Sequence, residues 1–133
     1  MWGLVDRFCA QTGVPPDAAA DIRLAIEEAY SNIVQHGYHA RGGHLELDLK
    51  NDGGLLTITF VDKAPLFDPT ALPASDPSVP FERPPGKRGG WRWVRRVMDE
   101  VRHRPGFRKK GNVITLIKKV ELQAPRPHLR LER

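Results

Sequence analysis

The sequence predicts an α+β fold in which helices cover one face of a mostly antiparallel sheet. Three observations lead to this prediction: a long helical stripe between residues 17 and 36, a hairpin pattern between residues 44 and 62, and a helix followed by two short strands between residues 91 and 120. Because the strands come in adjacent pairs, a two-layer sandwich is the simplest arrangement. The length of 133 residues predicts one domain, residues 1–122, followed by a basic tail at residues 123–133.

Two helices are expected before the first strand. The first runs from Trp2 to Ala10 and places Cys9 on its apolar side, so the single cysteine is interpreted as a core residue. Two prolines separate it from the second helix, for which Asp17 is the predicted N-cap. The apolar stripe of this second helix continues to about His36, and the glycine that follows is a predicted helix stop.

The next segment is a predicted antiparallel hairpin. Residues 44–50 alternate leucine with polar side chains, which is typical of a half-buried strand. Residues 51–54, Asn-Asp-Gly-Gly, have the composition of a tight turn, and residues 55–62 return as a strand rich in β-branched side chains.

A proline-rich segment interrupts the pattern between Pro65 and Gly90. Seven of the twelve prolines lie between Pro65 and Pro85, and no helical or strand periodicity is visible there. A structureless segment of this length in a compact domain is typical of either disorder or a functional lid. Apolar side chains such as Phe67 and Phe81 favour the lid, because they can fold back onto the domain.

The last predicted elements are a helix and a pair of strands. The helix covers residues 91–101, with Trp91 and Val101 on its apolar face. Residues 101–104 and 112–120 are predicted strands, joined by a basic turn.

Charge is divided unevenly along the chain. Residues 1–82 contain five Lys and Arg against twelve Asp and Glu, a balance of −7, whereas residues 83–133 contain sixteen against four, a balance of +12. This asymmetry predicts an anionic ligand or partner near the C-terminal half. Nucleotide phosphates, nucleic acid and an acidic protein surface all fit such charge. Nucleic acid is disfavoured because no recognised nucleic-acid motif accompanies it.

Compartment is predicted from cysteine usage and hydropathy. A single cysteine excludes an internal disulfide framework and fits a reducing environment. No apolar run approaches the roughly 20 residues that span a bilayer, and the N-terminus lacks the features of a signal peptide. We therefore expect a cytoplasmic protein that does not enter a membrane.

A polar stripe lies beside the apolar one on the second helix. Glu28, Asn32 and His36 recur every four residues, so on a continuous α-helix they form one line at the edge of the core face. A half-desolvated carboxylate and an amide placed there are suited to lining a pocket. A solvated helix edge is the alternative interpretation.

Further segments, taken in order with this stripe, give the sequence a family resemblance. The segments are Glu28-x-x-x-Asn32-x-x-x-His36-Gly37-Tyr38, then Asp62-x-Ala64-x-x-Phe67-Asp68-Pro69, then the proline-rich stretch with Gly86, Gly89 and Gly90 before a helix, and finally Gly111-x-x-x-Thr115. They resemble the boxes of anti-sigma factor serine kinases of the RsbW/SpoIIAB type, which belong to the GHKL (Bergerat-fold) ATPase superfamily. The resemblance covers about Leu4 to Lys119 and implies a Bergerat-type two-layer α/β sandwich with an ATP lid at about residues 65–90.

The resemblance also implies a site for ATP and Mg²⁺. Asn32 is expected to complete a Mg²⁺ shell made otherwise of phosphate oxygens and water, and Glu28 to act as general base toward the attacking hydroxyl. Asp62 is expected to accept a hydrogen bond from the adenine amino group. The other implied nucleotide-binding positions are His36, Ala64, Phe67, Lys87, Arg88, Gly89, Gly90 and Thr115. The alternatives are a capping or core role for His36 and an ordinary β-branched strand position for Thr115.

Three features depart from the family pattern. Ala64 stands where the family has glycine in its first box, and Arg88 where it has the first glycine of its second box. Glycine permits a positive φ or a close backbone approach, and alanine is disfavoured by either. Lys87 and Arg88 are expected either to donate to the phosphates or to block the pocket. Family members usually begin with a strand that contributes to subunit contacts, whereas this chain begins at the first helix. One edge of the sheet is therefore expected to be exposed or to be covered by the tail or a partner, and homodimerisation is left open.

The function implied by the resemblance is that of an anti-sigma factor with protein serine/threonine kinase activity. Such a protein binds ATP and Mg²⁺, sequesters a sigma factor or an equivalent target, and phosphorylates a serine of a STAS-domain anti-anti-sigma protein. The departures at Ala64 and Arg88 motivate an alternative, a non-catalytic sequestering module with a degenerate nucleotide site.

Overall fold

The computed structural model describes residues 2–38, 43–71 and 90–122, apart from the side chains of Trp2 and His36. The predicted tail at residues 123–133 and most of the predicted lid, residues 72–89, lie outside this part of the chain. The predictions for Lys87, Arg88 and Gly89 therefore fall outside it as well.

Helices and strands follow one another in the predicted order. Their bounds are α1 Trp2–Thr12, α2 Pro16–Asn32, β1 Leu45–Asp52, β2 Leu55–Asp62, α3 Gly90–Val97, β3 Glu100–Pro105 and β4 Asn112–Lys119. Short helical turns of π type at Ile33–Gly37 and of 3-10 type at Pro69–Ala71 and Phe107–Lys109 accompany them. Among the described residues, no helix has the length and apolar character that crossing a membrane requires.

The strands form one antiparallel sheet in the order β1-β2-β4-β3. Its register places Asp62, the last residue of β2, opposite Asn112, the first residue of β4. Strands β1 and β3 are the edges of the sheet, and no further strand in the described residues pairs with either. The predicted α+β class with an antiparallel sheet is confirmed.

A two-residue turn closes the hairpin of β1 and β2. Gly53 and Gly54 have positive φ values of 61° and 99°, which glycine adopts without steric penalty in tight hairpins. The Oδ1 atom of Asn51 accepts a hydrogen bond from the Gly54 N–H at 2.9 Å. The turn is shorter than predicted, because Asn51 and Asp52 still belong to β1.

The core lies between the helices and one face of the sheet. Side chains with less than 2% exposure include Ile22 and Ile26 of α2, Leu56, Ile58 and Phe60 of β2, and Ile114 and Leu116 of β4. Helices α2 and α3 contact each other, and α1 packs against α2 and β1. These contacts fix the ends of α2, β2 and β4 relative to one another.

Cys9 and Trp91 are both buried in this core, as predicted. Burial, with a smaller contribution from the charge of Asp6, raises the pKa of the Cys9 thiol. The thiol is therefore protonated at neutral pH, which agrees with a packing role.

The predicted N-cap of the second helix is wrong. Pro15 occupies the cap position with φ −59° and ψ 150°, and no side chain caps the helix. Asp17 instead lies within the first turn, where a negative charge is favourable to the helix dipole. Proline suits a helix start because the missing N–H would have no partner inside the helix.

The predicted end of the third helix is also wrong. Helix α3 stops at Val97, Met98 and Asp99 form a bend, and Val101 belongs to β3. The spacing of the apolar residues from Trp91 to Val101 fits a helix, but Val101 alternates with exposed neighbours and is half-buried as a strand residue.

Candidate functional site

A cavity of about 410 Å³ lies between the ends of α2 and β2 and the start of α3. Its lining residues are Asn32, Ile33, Gly37, Asp62, Ala64, Pro65, Leu66, Phe67, Trp91, Asn112 and Ile114. The volume is within the range of small-molecule sites, and the lining is mainly apolar with a few convergent polar side chains. Such a cavity suits a ligand with a flat apolar part and polar edges.

Four of the predicted site residues line this cavity, namely Asn32, Asp62, Ala64 and Phe67. A fifth, Gly90, is adjacent, since a Cβ placed on it would be 3.6 Å from the Asn32 Nδ2 and 3.7 Å from its Oδ1. The fold thus brings together the box around Asn32, the box after β2 and the end of the second glycine box.

The wall that α2 contributes ends in an irregular turn. The α-helix stops at Asn32 and continues as a π-helix over Ile33–Gly37, closed by a hydrogen bond from the Tyr38 N–H to the Ile33 carbonyl at 3.0 Å. A π-turn spans five residues instead of four. The predicted α-helical line through Glu28, Asn32 and His36 is therefore wrong beyond Asn32.

Asn32 presents an oriented amide to the cavity. Its Nδ2 donates to the Glu28 carbonyl at 2.7 Å. This bond leaves Oδ1 without a partner among the described residues. Among the described residues, no group of three or more His, Cys, Asp or Glu is arranged to hold a metal. A single amide oxygen fits Mg²⁺, which takes its other ligands from phosphate and water.

Glu28 lies one helical turn before Asn32 and is only 1% exposed. It is not among the described residues that line the cavity. The prediction of a half-desolvated carboxylate at the pocket edge is wrong in this respect, because the side chain belongs to the buried face of α2. Asn32, which does line the cavity, lies one helical turn, about 5.4 Å, farther along α2 than Glu28.

Asp62 lines the cavity where β2 ends, here called the Asp62 end, whereas Asn32 lines it where α2 ends, here called the Asn32 end. Asp62 is 3% exposed. Its Oδ1 accepts hydrogen bonds from the Ala64 N–H at 3.0 Å and from the Asn112 Nδ2 at 2.9 Å. Its Oδ2 has no partner among the described residues. One carboxylate oxygen is therefore held in place while the other is available to a donor on a ligand.

Ala64, which stands where the resemblance predicts a glycine, is accommodated by the glycine at position 37. Its φ is not positive, so the conformational penalty expected for alanine does not arise. A Cβ on Gly37 would lie only 2.9 Å from the Ala64 Cβ. The absence of a side chain at Gly37 makes the space that the Ala64 methyl group fills.

Asn112 is the polar residue of the site that the sequence prediction missed. It is 3% exposed, and its Nδ2 donates to the Asp62 Oδ1 at 2.9 Å and to the Pro65 carbonyl at 3.1 Å. Its Oδ1 accepts from the Phe67 N–H at 2.9 Å and lies 2.8 Å from the His103 Nε2. The available signal was an asparagine at the start of an apolar strand.

The residues just described fall within a match to a known family. Residues 3–118 match the model of the histidine kinase-like ATPase domain. This match covers most of the 133 residues. The chain belongs to the histidine kinase-like ATPase domain family. A search of curated proteins found no match. Membership places the chain in the GHKL superfamily and indicates ATP binding.

Thr115 does not reach the cavity of this histidine kinase-like ATPase domain. It is half-buried on β4 and pairs with Thr59, whereas its neighbours Ile114 and Leu116 are buried under the helices. Successive side chains of a strand point to opposite faces. Thr115 is thus not among the described residues that line the cavity, which favours the alternative of a β-branched strand position, and its nucleotide contact stays a prediction.

An aromatic pair forms one side of the ATPase cavity. The ring centroids of Phe67 and Trp91 are 6.5 Å apart with an interplanar angle of 36°. Trp91 is buried at 6% exposure, whereas Phe67 is 45% exposed. Trp91 anchors the pair in the core, and Phe67 offers apolar surface to a planar ligand.

The segment after Phe67 is held by Asp68. Its Oδ1 accepts hydrogen bonds from the Thr70 N–H at 2.8 Å and from the Thr70 hydroxyl at 2.6 Å. These bonds, chiefly that from the hydroxyl, lower the pKa of Asp68, and positive charge at His103 and Arg95 adds to the effect. Asp68 is therefore ionised at neutral pH and fixes the turn into the 3-10 helix.

Proposed function

We propose that this histidine kinase-like ATPase domain binds ATP with Mg²⁺ and acts as an anti-sigma factor with serine/threonine kinase activity. The observation that supports nucleotide binding is the cavity lined by both Asp62, where β2 ends, and Asn32, where α2 ends. Asp62 offers a single carboxylate oxygen, and Asn32 a single amide oxygen. These groups suit the base and the phosphates, respectively.

In this proposal the adenine lies at the Asp62 end. The Asp62 Oδ2 accepts a hydrogen bond from the exocyclic amino group, and Ile114 and Phe67 contact the ring. The phosphates extend toward Asn32 and the start of α3. When bound there, Mg²⁺ supplies positive charge that neutralises the phosphate oxygens.

The proposed reaction transfers the γ-phosphoryl group to a serine of the partner. The serine hydroxyl attacks the γ-phosphorus, its proton passes to the Glu28 carboxylate, and the bond to the β–γ bridging oxygen breaks, so that ADP leaves. Phosphoryl transfer depends mainly on positioning and charge neutralisation, so one carboxylate is sufficient as base. Glu28 is suited to this role by its place one turn from Asn32.

The proposed partners are a STAS-domain anti-anti-sigma protein and a sigma factor or equivalent target, and a homodimer is a further possibility left by the resemblance. A phosphoserine dianion is costly in a packed interface, so phosphorylation is expected to release the STAS-domain protein. Size-exclusion chromatography with light scattering, with and without each partner, measures these associations.

The kinase proposal is tested with radiolabelled ATP and a STAS-domain protein that binds the chain. The wild-type protein is expected to label a serine, and Glu28→Gln, which keeps the size of the side chain, is expected to abolish labelling. Asp17→Asn removes an exposed carboxylate from the same helix and is expected to label normally. Labelling that persists in Glu28→Gln would rule out Glu28 as the base.

One observation favours the alternative of a non-catalytic sequestering module. Glu28 is almost fully buried and does not line the described part of the cavity. In this alternative the chain binds its target and keeps a nucleotide site without turnover. Calorimetry that detects ATP binding, combined with no labelled serine at equal protein concentrations, would select it over the kinase.

A further inference from the structure

The adenine end of the cavity is supported by a row of three buried polar side chains. The Asp62 Oδ1 accepts from the Asn112 Nδ2, and the Asn112 Oδ1 lies 2.8 Å from the His103 Nε2. The His103 side chain is only 6% exposed. The row crosses three strands of the sheet, because Asp62 ends β2, Asn112 begins β4 and His103 lies on β3.

The amide of Asn112 has one permitted orientation. Its nitrogen faces three acceptors, the Asp62 Oδ1, the Pro65 carbonyl and, at 3.5 Å, the Ala64 carbonyl. Its oxygen faces the Phe67 N–H and His103. A flipped amide would place oxygen against acceptors and nitrogen against donors. Since both amide hydrogens and both lone pairs are used, Asn112 is left with no hydrogen-bonding capacity for a ligand.

The His103 Nε2 must donate a hydrogen bond to Asn112, because the atom that it faces, the Asn112 Oδ1, can only accept. The Nε2–H is therefore present in the nucleotide-free protein. The other ring nitrogen, Nδ1, is 3.8 Å from the Asp68 Oδ1. Removing the His103 donor would leave one lone pair of the Asn112 oxygen unsatisfied in a buried position, which disfavours the observed amide orientation.

We propose that Asn112 and His103 are positioning residues that set the selectivity of the site for adenine. Asn112 holds the Asp62 Oδ1, so that Oδ2 faces the cavity, and His103 holds Asn112. This inference rests on the proposed ATP binding. Asn112 lines the cavity but has no hydrogen-bonding capacity left for a ligand, and both residues act through the Asp62 carboxylate.

Base selectivity reports the orientation of that carboxylate. ATP presents an amino donor to Asp62, whereas ITP presents a carbonyl oxygen at the same position and is repelled by an acceptor. A carboxylate that is free to rotate can turn away from the ITP carbonyl. Loss of positioning is therefore expected to reduce the preference for ATP, with a smaller change in overall affinity.

The test compares ATP and ITP binding by calorimetry in wild type, His103→Leu and His103→Gln. We expect wild type to prefer ATP by tenfold or more, and His103→Leu to lower this preference about fivefold, as for one lost hydrogen bond. The glutamine amide nitrogen replaces the Nε2 donor, so His103→Gln is expected to keep the preference. His44→Leu is a matched control, because the imidazole is exposed and bonds only Glu46 among the described residues, while the bond from the Tyr38 hydroxyl goes to the backbone carbonyl of His44 and is kept.

A second measurement does not depend on nucleotide. NMR of the imidazole nitrogens in the ligand-free wild-type protein is expected to show a protonated, hydrogen-bonded Nε2 at His103. An unprotonated Nε2, or an ATP preference in His103→Leu equal to that of wild type, would overturn the inference. A wild-type protein that binds neither nucleotide would instead overturn the proposed function.

Discussion

The two ends of the cavity differ in how their polar atoms are fixed. At one end the Asp62 carboxylate is held by hydrogen bonds from two directions and is supported by β4 behind it. At the other end Asn32 is held by one bond to its own helix, at the point where the α-helix changes to a π-helix. Gly90, with φ +58°, approaches it from α3.

This difference suits two kinds of recognition. A base is planar and is distinguished by the geometry of its hydrogen bonds. The position of the acceptor must therefore be fixed to within a fraction of an ångström. Phosphates with a hydrated cation are recognised mainly by charge, which tolerates adjustment. The Asp62 end is built on paired strands, and the Asn32 end is built on helix termini.

The largest effect is expected from Asp62→Asn. The asparagine keeps one oxygen for the Ala64 and Asn112 bonds but places an amino group where the adenine donor is recognised. ATP affinity measured by calorimetry is expected to fall on the order of 100-fold, as for a lost hydrogen bond to a charged group. Asp52→Asn, an exposed strand-end control, should bind normally. Unchanged affinity in Asp62→Asn would show that the base does not lie at this end.

The next largest effect is expected at the contact between Gly37, which follows the Asn32 end of the site, and Ala64, which follows Asp62. Gly37→Ala would place a methyl group 2.9 Å from the Ala64 Cβ, and we expect a loss of about 1–3 kcal/mol in the free energy of unfolding by urea denaturation. Adding Ala64→Gly should recover most of this loss. Losses that simply add in the double variant would show that the two residues do not compete for space.

A smaller effect is expected at Gly90. Gly90→Ala forces a side chain into a left-handed backbone conformation, at a cost of roughly 1–2 kcal/mol. Gly90→Asn should cost less, because asparagine tolerates this conformation. Gly3→Ala, where no atom lies within 4 Å of the new methyl group, is the steric control, and it is expected to keep or raise stability because alanine favours a helix more than glycine does. Equal urea midpoints for the alanine and asparagine variants would contradict the conformational explanation.

The smallest effect is expected from Asp68, the exposed residue beside the Asp62 end. Because the pKa of Asp68 is lowered in the folded state, its stabilising contribution is present above the pKa of an unfolded aspartate, about 3.9, and is lost as pH falls through the lowered value. Between neutral pH and pH 3, wild type should therefore lose slightly more thermal stability than Asp68→Asn. Equal losses of melting temperature in wild type and Asp68→Asn between neutral pH and pH 3 would contradict the expectation.

Local periodicity predicted the elements of this domain better than it predicted their ends. The strict alternation of residues 44–50 and the glycine turn determine the hairpin without reference to the rest of the chain. Val101 was assigned both to the end of the helix and to the start of the strand, because one apolar spacing fits both, and only the strand assignment is confirmed. Asp17 was misplaced because a proline at the helix start removes the need for a side-chain cap.

The features of the site that the sequence alone does not reveal depend on contacts between distant segments. Asn112 reaches the cavity because strand register places it opposite Asp62. The methyl group of Ala64 has space only because its neighbour in the fold is Gly37, and this contact joins residues far apart in the sequence. Thr115 differs from both, since strand alternation with its buried neighbours Ile114 and Leu116 places it on the opposite face of β4 without reference to distant segments.

The hydrogen bond between Asp62 and Asn112 joins residues 50 positions apart. Closing so long a loop is slow compared with forming the local hairpin of β1 and β2, so the adenine end is expected to be completed late in folding. A nucleotide that needs this end has no binding site on partly folded chains. It would therefore act as a folding ligand that stabilises only the finished domain, by about 2.7 kcal/mol at a concentration one hundred times its Kd.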